Sequence, residues 1–189
     1  MLLSAIVPAA AEPDPVVLSA EFKPPFDLDW QVLHGKPGPG PACRVRIAEV
    51  TDTRADTVSM GTISNRPVRA TDAAGWVMSA LKSLKRDGRL QLDEQPDASD
   101  LVLRAEIIKA YMISLTTDKS TNIVLRVRFT GPNGAAGEQI FRGVETGTDW
   151  AATSSETQGQ FDRALAKVVD QVDQNLAQRC TAPVATVTP

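Results

Sequence analysis

A single histidine, a single tyrosine and two cysteines are all the chain has of those residues in 189 positions. With so few, no His/Cys set for zinc, haem or an iron–sulfur cluster can be assembled, and no metal or cofactor is expected. His34 stands alone in a proline-rich stretch, which leaves no plausible Ser/His/Asp set, and no Gly-x-Ser-x-Gly elbow occurs. The glycine clusters at 35–40 and 131–137 match neither a phosphate loop nor a dinucleotide fingerprint. Carboxylates such as Glu49, Asp52 and Asp56 are present, but nothing in the sequence sets two of them across a cleft, as glycoside hydrolysis requires. Basic residues do not predominate either. Lys+Arg number 20 against 23 Asp+Glu, for a net charge of −3, so the usual mark of a nucleic-acid binder is missing. No apolar run is long enough to cross a bilayer, which leaves peripheral membrane contact but no membrane-spanning anchor. The chain reads as a non-enzyme.

What remains is enough for one ordinary domain, since 42% of the residues are hydrophobic and only 23% are charged. Four regions are expected: a signal-peptide remnant over 1–11, a proline-rich extended arm over 12–42, one α+β domain over 43–180, and a flexible tail over 181–189. The first eleven residues are uncharged and end in small side chains, with Ala9 and Ala11 suited to a cut before Glu12. That reading places the protein in the periplasm, exported across an inner membrane, with outer-membrane association compatible. Cys43 and Cys180 fit this compartment as a disulfide pair. A bridge closing so long a loop is worth about 5 kcal/mol in the chain-entropy model. Two free thiols are the alternative.

The arm carries Pro13, Pro15, Pro24, Pro25, Pro37, Pro39 and Pro41, a density that precludes helix and central strand. Phe22, Phe26 and Trp30 punctuate it at four-residue intervals, either as a partner-binding surface or as an arm packed on its own domain. Within the domain, 44–50 alternates as a strand and Met60–Ile63 suggests an edge strand. Thr71 and Asp72 offer caps for a helix with Ala73, Trp76, Val77, Ala80, Leu81 and Leu84 on one face, ending at Gly88. Three strands follow, at 90–92, 101–115 and 122–129, and Gly131–Gly134 turns the chain into a further one over 138–150. A last helix runs from a Ser155/Gln158 capping box through Phe161, Leu165, Val168, Val172 and Leu176 to Arg179.

The expected fold is therefore an α+β two-layer sandwich in the order β-α-β-β-β-α. Its sheet has about four to five strands, antiparallel but mixed at the first strand, with two helices on one face. Arg104, Lys109, Arg126, Arg128 and Arg142 fall on the open face, where Arg126 and Arg128 are the candidate contacts for a partner or for acidic headgroups. Cross-strand pairing with Glu106 and Glu145 is the plainer reading. Candidate partners are an envelope protein or a second copy joined by strand-edge pairing, not nucleic acid. A lipid or small-ligand carrier, with an apolar pocket between sheet and helices, is the alternative.

Residues 45–54 with their Asp52-Thr-Arg54, the Gly61-Thr-Ile63 step, Trp76–Gly88, Ala98-Ser-Asp100 and the final helix from Phe161 together resemble YajG-like bacterial lipoproteins. The resemblance spans 44 to about 179. It implies a cell-envelope accessory module for assembly or transport and supplies no catalytic residues. The lipid-bearing cysteine of that family's start has no counterpart here.

Overall fold

The computed structural model describes residues 13–25, 43–84, 90–92, 101–115, 117–131, 134, 136–148 and 153–181. They form a mixed α+β fold in which one face of a sheet is covered by two helices. The strands are β1 (Val16–Leu18), β2 (Cys43–Asp52), β3 (Ser59–Ile63), β4 (Arg66–Ala70), β5 (Leu90–Leu92), β6 (Leu101–Leu115), β7 (Asp118–Thr130) and β8 (Ala136–Thr148). Helix α1 (Ala73–Lys82) lies between β4 and β5, and α2 (Ser154–Thr181) follows β8. The sheet thus holds eight strands rather than four or five, in a fuller order than β-α-β-β-β-α.

The additions have local causes. β3 and β4 are joined by a tight turn in which Ser64 and Asn65 both have positive φ, 47° and 63°. That geometry is the hairpin turn whose strongest signal is Asn-Gly, and Ser-Asn announces it poorly. β3 is not at an edge, because β4 pairs with one side and Gly61 meets Met112 of β6 on the other. β1 comes from the proline-rich arm itself, as a three-residue strand parallel to β4 at the sheet margin, where flanking prolines are tolerated. Val16, Leu18 and Phe22 are buried in the common core. The described part of the arm is therefore firmly packed.

β6 organises the sheet. One of its sides carries β7 along the whole length, and β8 extends that antiparallel meander. The other side is shared: β2 runs parallel to Leu101–Ile107, and β3 meets Met112 farther on. Between the two lies a bulge in which Ile107 pairs with Leu125 and Lys109 with Val124, leaving Ile108 unpaired. The extra residue reverses the alternation of facing side chains. Leu103, Ala105 and Ile107 point into the core before it, Ala110 and Met112 after it. Lys109, Tyr111 and Ile113 are thereby turned outward.

Helix α1 begins where Asp72, in extended conformation, accepts from the Gly75 amide at 2.7 Å, as expected of that residue. Its C-cap is Ser83, whereas Gly88 lies outside the described residues. Helix α2 is capped by Thr153, not by Ser155: the Glu156 amide donates to Thr153 Oγ1 at 3.2 Å. Thr153-x-x-Glu156 has the same spacing as the expected box, displaced by one half-turn. The stripe Phe161, Leu165, Val168, Val172 and Leu176 is fully buried, and the Phe161 ring meets Trp76 of α1 edge-on at 6.0 Å. Gly143 on β8 lets α2 approach closely, since a Cβ there would lie 1.9 Å from the Ala164 carbonyl oxygen. The C-terminal end of α2 lies against β7. Arg179 lies over the Phe129 ring at 4.4 Å, Phe129 pairs with Leu103, and Leu103 pairs with Ile47.

Candidate interaction face and the fork of the sheet

The place where β2 and β3 part along β6 is held by one side chain. Arg54 lies two residues beyond the end of the Asp52 strand, in the loop that crosses from β2 to β3. Its Nε donates to Asp52 Oδ1 at 2.8 Å and its Nη2 to Asp52 Oδ2 at 2.7 Å, a bidentate pair. The same guanidinium donates to the Ser59, Thr57 and Ala110 carbonyls at 2.8, 2.8 and 3.3 Å. Ala110 is on β6, immediately past the bulge and between the Ile107 pair with β2 and the Met112 pair with β3, so the Arg54 side chain donates where the two strands part. Thr53 closes the other flank, its amide and hydroxyl both donating to the Ile107 carbonyl. Asp56 shapes the loop by accepting from the Ser59 and Val58 amides, and these hydrogen bonds hold its carboxyl below the usual range. Gly61, with φ of 101°, completes the fork: a Cβ would stand 2.0 Å from the Met112 carbonyl oxygen. The Asp-x-Arg and Gly-x-Ile steps therefore have physical reasons, a strand-end clamp and a close backbone approach.

Against the fork lies a shallow cleft of about 370 Å³ lined by Arg54, Asp56, Ser59, Ile108, Lys109, Ala110 and Tyr111. It opens onto the outer face of the β6–β7–β8 meander, which divides at the bulge into two halves. In one half, Arg126 pairs with Glu106 at 2.9 Å and Arg128 with Glu138 at 2.8 Å, with crossed contacts at 3.3 and 3.2 Å. The hydrogen bond from Arg128 holds the Glu138 carboxyl down and raises the Arg128 guanidinium in return. Arg126 and Arg128 thus form a cross-strand ladder with Glu106, as the plainer reading had it, and Glu138 takes the place given to Glu145. Glu145 instead reaches α2. Its burial works against ionisation, but hydrogen bonds from Lys167 and Arg163 outweigh that and hold its carboxyl below the usual range.

The other half presents apolar side chains to water. Tyr111, Ile113 and Val144 are 38%, 43% and 37% exposed; Ile140, 57% exposed, stands across the bulge beside Arg126 in the charged half. Sequence alternation alone misses Tyr111 and Ile113, because it carries no mark of the bulge; the doublet Ile107-Ile108 in an otherwise alternating run is the available hint. Of the aromatic residues expected to meet a partner, Phe22 is in the core and corrects that expectation, while Phe26 and Trp30 lie outside the described residues. Cys43 opens β2 and Cys180 lies near the end of α2, partly buried against the core, but the Cys43 side chain falls outside the described ones.

A buried acid links the arm to the helices. Asp162 accepts from Trp76 Nε1 at 2.8 Å, from Gln158 Nε2 at 3.0 Å and from the Lys23 amide at 3.4 Å. Gln158 Oε1 in turn accepts from the Ser19 amide at 2.9 Å. Burial raises the Asp162 carboxyl, and the three hydrogen bonds only partly oppose it. A carboxyl raised by folding contributes stability below its unfolded value and loses that contribution as pH rises through its folded one. Wild type should therefore gain on Asp162→Asn as pH falls from neutral into the carboxylate range, read as the difference in Tm between the two. A difference that moves the other way would show that the hydrogen bonds outweigh burial.

No family model matches the chain, and no curated protein matches it. Among solved structures the fold is similar to protein XCC0632 from Xanthomonas campestris, a DUF330 protein, with a TM-score of 0.56 and 9% identity over 86% of this chain and 99% of that one. Weaker likenesses include a PelC dodecamer subunit from Paraburkholderia phytofirmans, with a TM-score of 0.44 and 16% identity over 71% of this chain and 92% of that one. A minor lipoprotein from Acinetobacter baumannii has a TM-score of 0.44 and 9% identity over 69% of this chain and 92% of that one. No described helix is long and apolar enough to cross a membrane.

Proposed function

We propose that the chain is a non-catalytic accessory domain of the bacterial cell envelope, YajG-like, which acts by binding a partner across the outer face of its sheet. The observation that carries the reading is the apolar half of that face, where Tyr111, Ile113 and Val144 stand out from a sheet whose other side is sealed by helices. Such side chains on one surface are the mark of an interaction site. The likeness of the Asp52-x-Arg54 and Gly61-x-Ile63 steps to those of YajG-like lipoproteins supports the envelope assignment. The carrier alternative draws less support, because Leu103, Ile107, Ile123, Leu125, Phe161 and Leu165 fill the space between sheet and helices where its pocket would be.

Two readouts test the proposal. Protein recovered from the periplasm should have a mass beginning at Glu12 and gain two alkyl groups only after reduction, which would place Cys43 and Cys180 in a bridge. No free thiol stands among the described residues, in keeping with that pairing. A photo-crosslinking residue at Tyr111 should capture an envelope component, and the same residue at Lys82, exposed on α1, should not. An uncleaved chain with two freely alkylated thiols sinks the compartment, and equal labelling from both positions sinks the face.

A further inference from the structure

The half-face beyond the bulge has a charge pattern as distinctive as its apolar one. Three cross-strand rows make it up: Lys109–Val124–Arg142, Tyr111–Asn122–Val144 and Ile113–Ser120–Thr146. At ordinary strand spacings this is a surface of about 10 Å by about 14 Å. None of its nine side chains is acidic, in a chain whose net charge is −3. Lys109 and Arg142 are both exposed, and neither is in a salt bridge among the described residues. Lys109 stands 5.8 Å from the Tyr111 ring centre, and Val124 is buried between the two cations. The acids nearest along the strands are spoken for or peripheral. Glu106 and Glu138 neutralise Arg126 and Arg128, Asp118 lies past the last row, and Asp56 in the adjoining cleft is tied to the Val58 and Ser59 amides.

We infer that this half-face seats on an anionic bilayer surface, with Lys109 and Arg142 at the headgroups and Tyr111, Ile113 and Val144 at the interface below them. The inference deepens the proposed function, because it rests on the same face and names what the face meets. Charge complementarity selects the occupant. Two uncompensated cations flanked by aliphatic and tyrosyl side chains on a flat sheet match an interface of anionic headgroups over acyl chains. Each basic residue near such a surface strengthens binding severalfold, and the attraction falls with salt.

The test is co-sedimentation of the purified chain with vesicles of phosphatidylglycerol and phosphatidylethanolamine, against vesicles of phosphatidylcholine alone. The chain should bind the first at low salt, and binding to the second should be at least tenfold weaker. Lys109→Glu with Arg142→Glu should cut binding to the anionic vesicles by about tenfold or more. Tyr111→Ala with Ile113→Ala, which only truncates exposed side chains, should cut it severalfold. Lys82→Glu, on α1, should change it less than twofold. Circular dichroism and Tm check that each variant is folded. Equal binding to both vesicle types, or binding insensitive to the paired charge reversal, overturns the inference. If no vesicle is bound while crosslinking from Tyr111 still captures a protein, the face is a protein interface: the lipid inference falls and the proposed function stands. If both fail, both fall.

Discussion

Replacing Arg54 with alanine should destabilise the domain by about 3–5 kcal/mol, the usual cost of breaking a buried ion pair from one side. For a chain of this size that is a fall in Tm of roughly 6–20 °C. The side chains of Arg54 and Asp52 are only 6% and 14% exposed, so alanine leaves a carboxylate with little water to turn to. It also strips a donor from three carbonyls, on Thr57, Ser59 and Ala110. Arg54→Lys should recover only part of the loss. An ammonium keeps the charge but cannot present the planar fork that grips Asp52 while reaching the carbonyls beyond it. Thermal and urea unfolding measure both variants, and a loss below about 1 kcal/mol for alanine would show that the fork holds without its clamp.

Gly143→Ala should be nearly as severe, at about 3 kcal/mol or more, although it adds a single methyl group. The added carbon would come within 1.9 Å of the Ala164 carbonyl oxygen and 2.9 Å of Val168 Cγ2. The first of these is helix backbone and cannot rotate away, so α2 would have to lift from β8. Lifting it would loosen the packing of Phe161, Leu165 and Val168, all buried beneath the helix. Gly147, four residues along the same strand, is the control. A Cβ there meets nothing closer than Gln160 Oε1 at 3.9 Å, so Gly147→Ala should leave Tm within a few degrees of wild type. Equal effects at the two glycines would refute the argument from helix approach.

Much of this architecture is written locally. The stripe from Phe161 to Leu176 and the long strands around Asn122–Phe129 repeat at helix and strand periods, and the structure has them at those positions. The Gly131–Gly134 turn is where it was expected, closed by a hydrogen bond from the Gly134 amide to the Gly131 carbonyl at 3.0 Å. The parts that escaped are set by pairing rather than by period. A three-residue strand such as Val16–Leu18 has no periodic signal, and only its partner β4 makes it a strand. The outward turn of Tyr111 depends on Ile108 being skipped by β7, a fact about two strands that neither sequence segment contains. The Asp52-x-Arg54 step was visible, but the bidentate pair within it and the three hydrogen bonds from Arg54 to the Thr57, Ser59 and Ala110 carbonyls were not.

The single backbone bridge between Gly61 and Met112 bears on how the protein comes apart. β1, β4 and β3 form a wing attached to β6 by that bridge, by Arg54 and by the Ser64 amide on Ser114 Oγ, and to the helices by the core side chains and by the Ser19 and Lys23 amides on Gln158 and Asp162. The meander of β6, β7 and β8, by contrast, is zipped over the length of each strand. Amide protons of the wing should thus exchange with solvent through an opening that leaves the meander closed, so the chain has two thresholds of unfolding rather than one. Because β1 belongs to the wing, a pull on the N-terminal side of the domain would be resisted first by the weaker of the two.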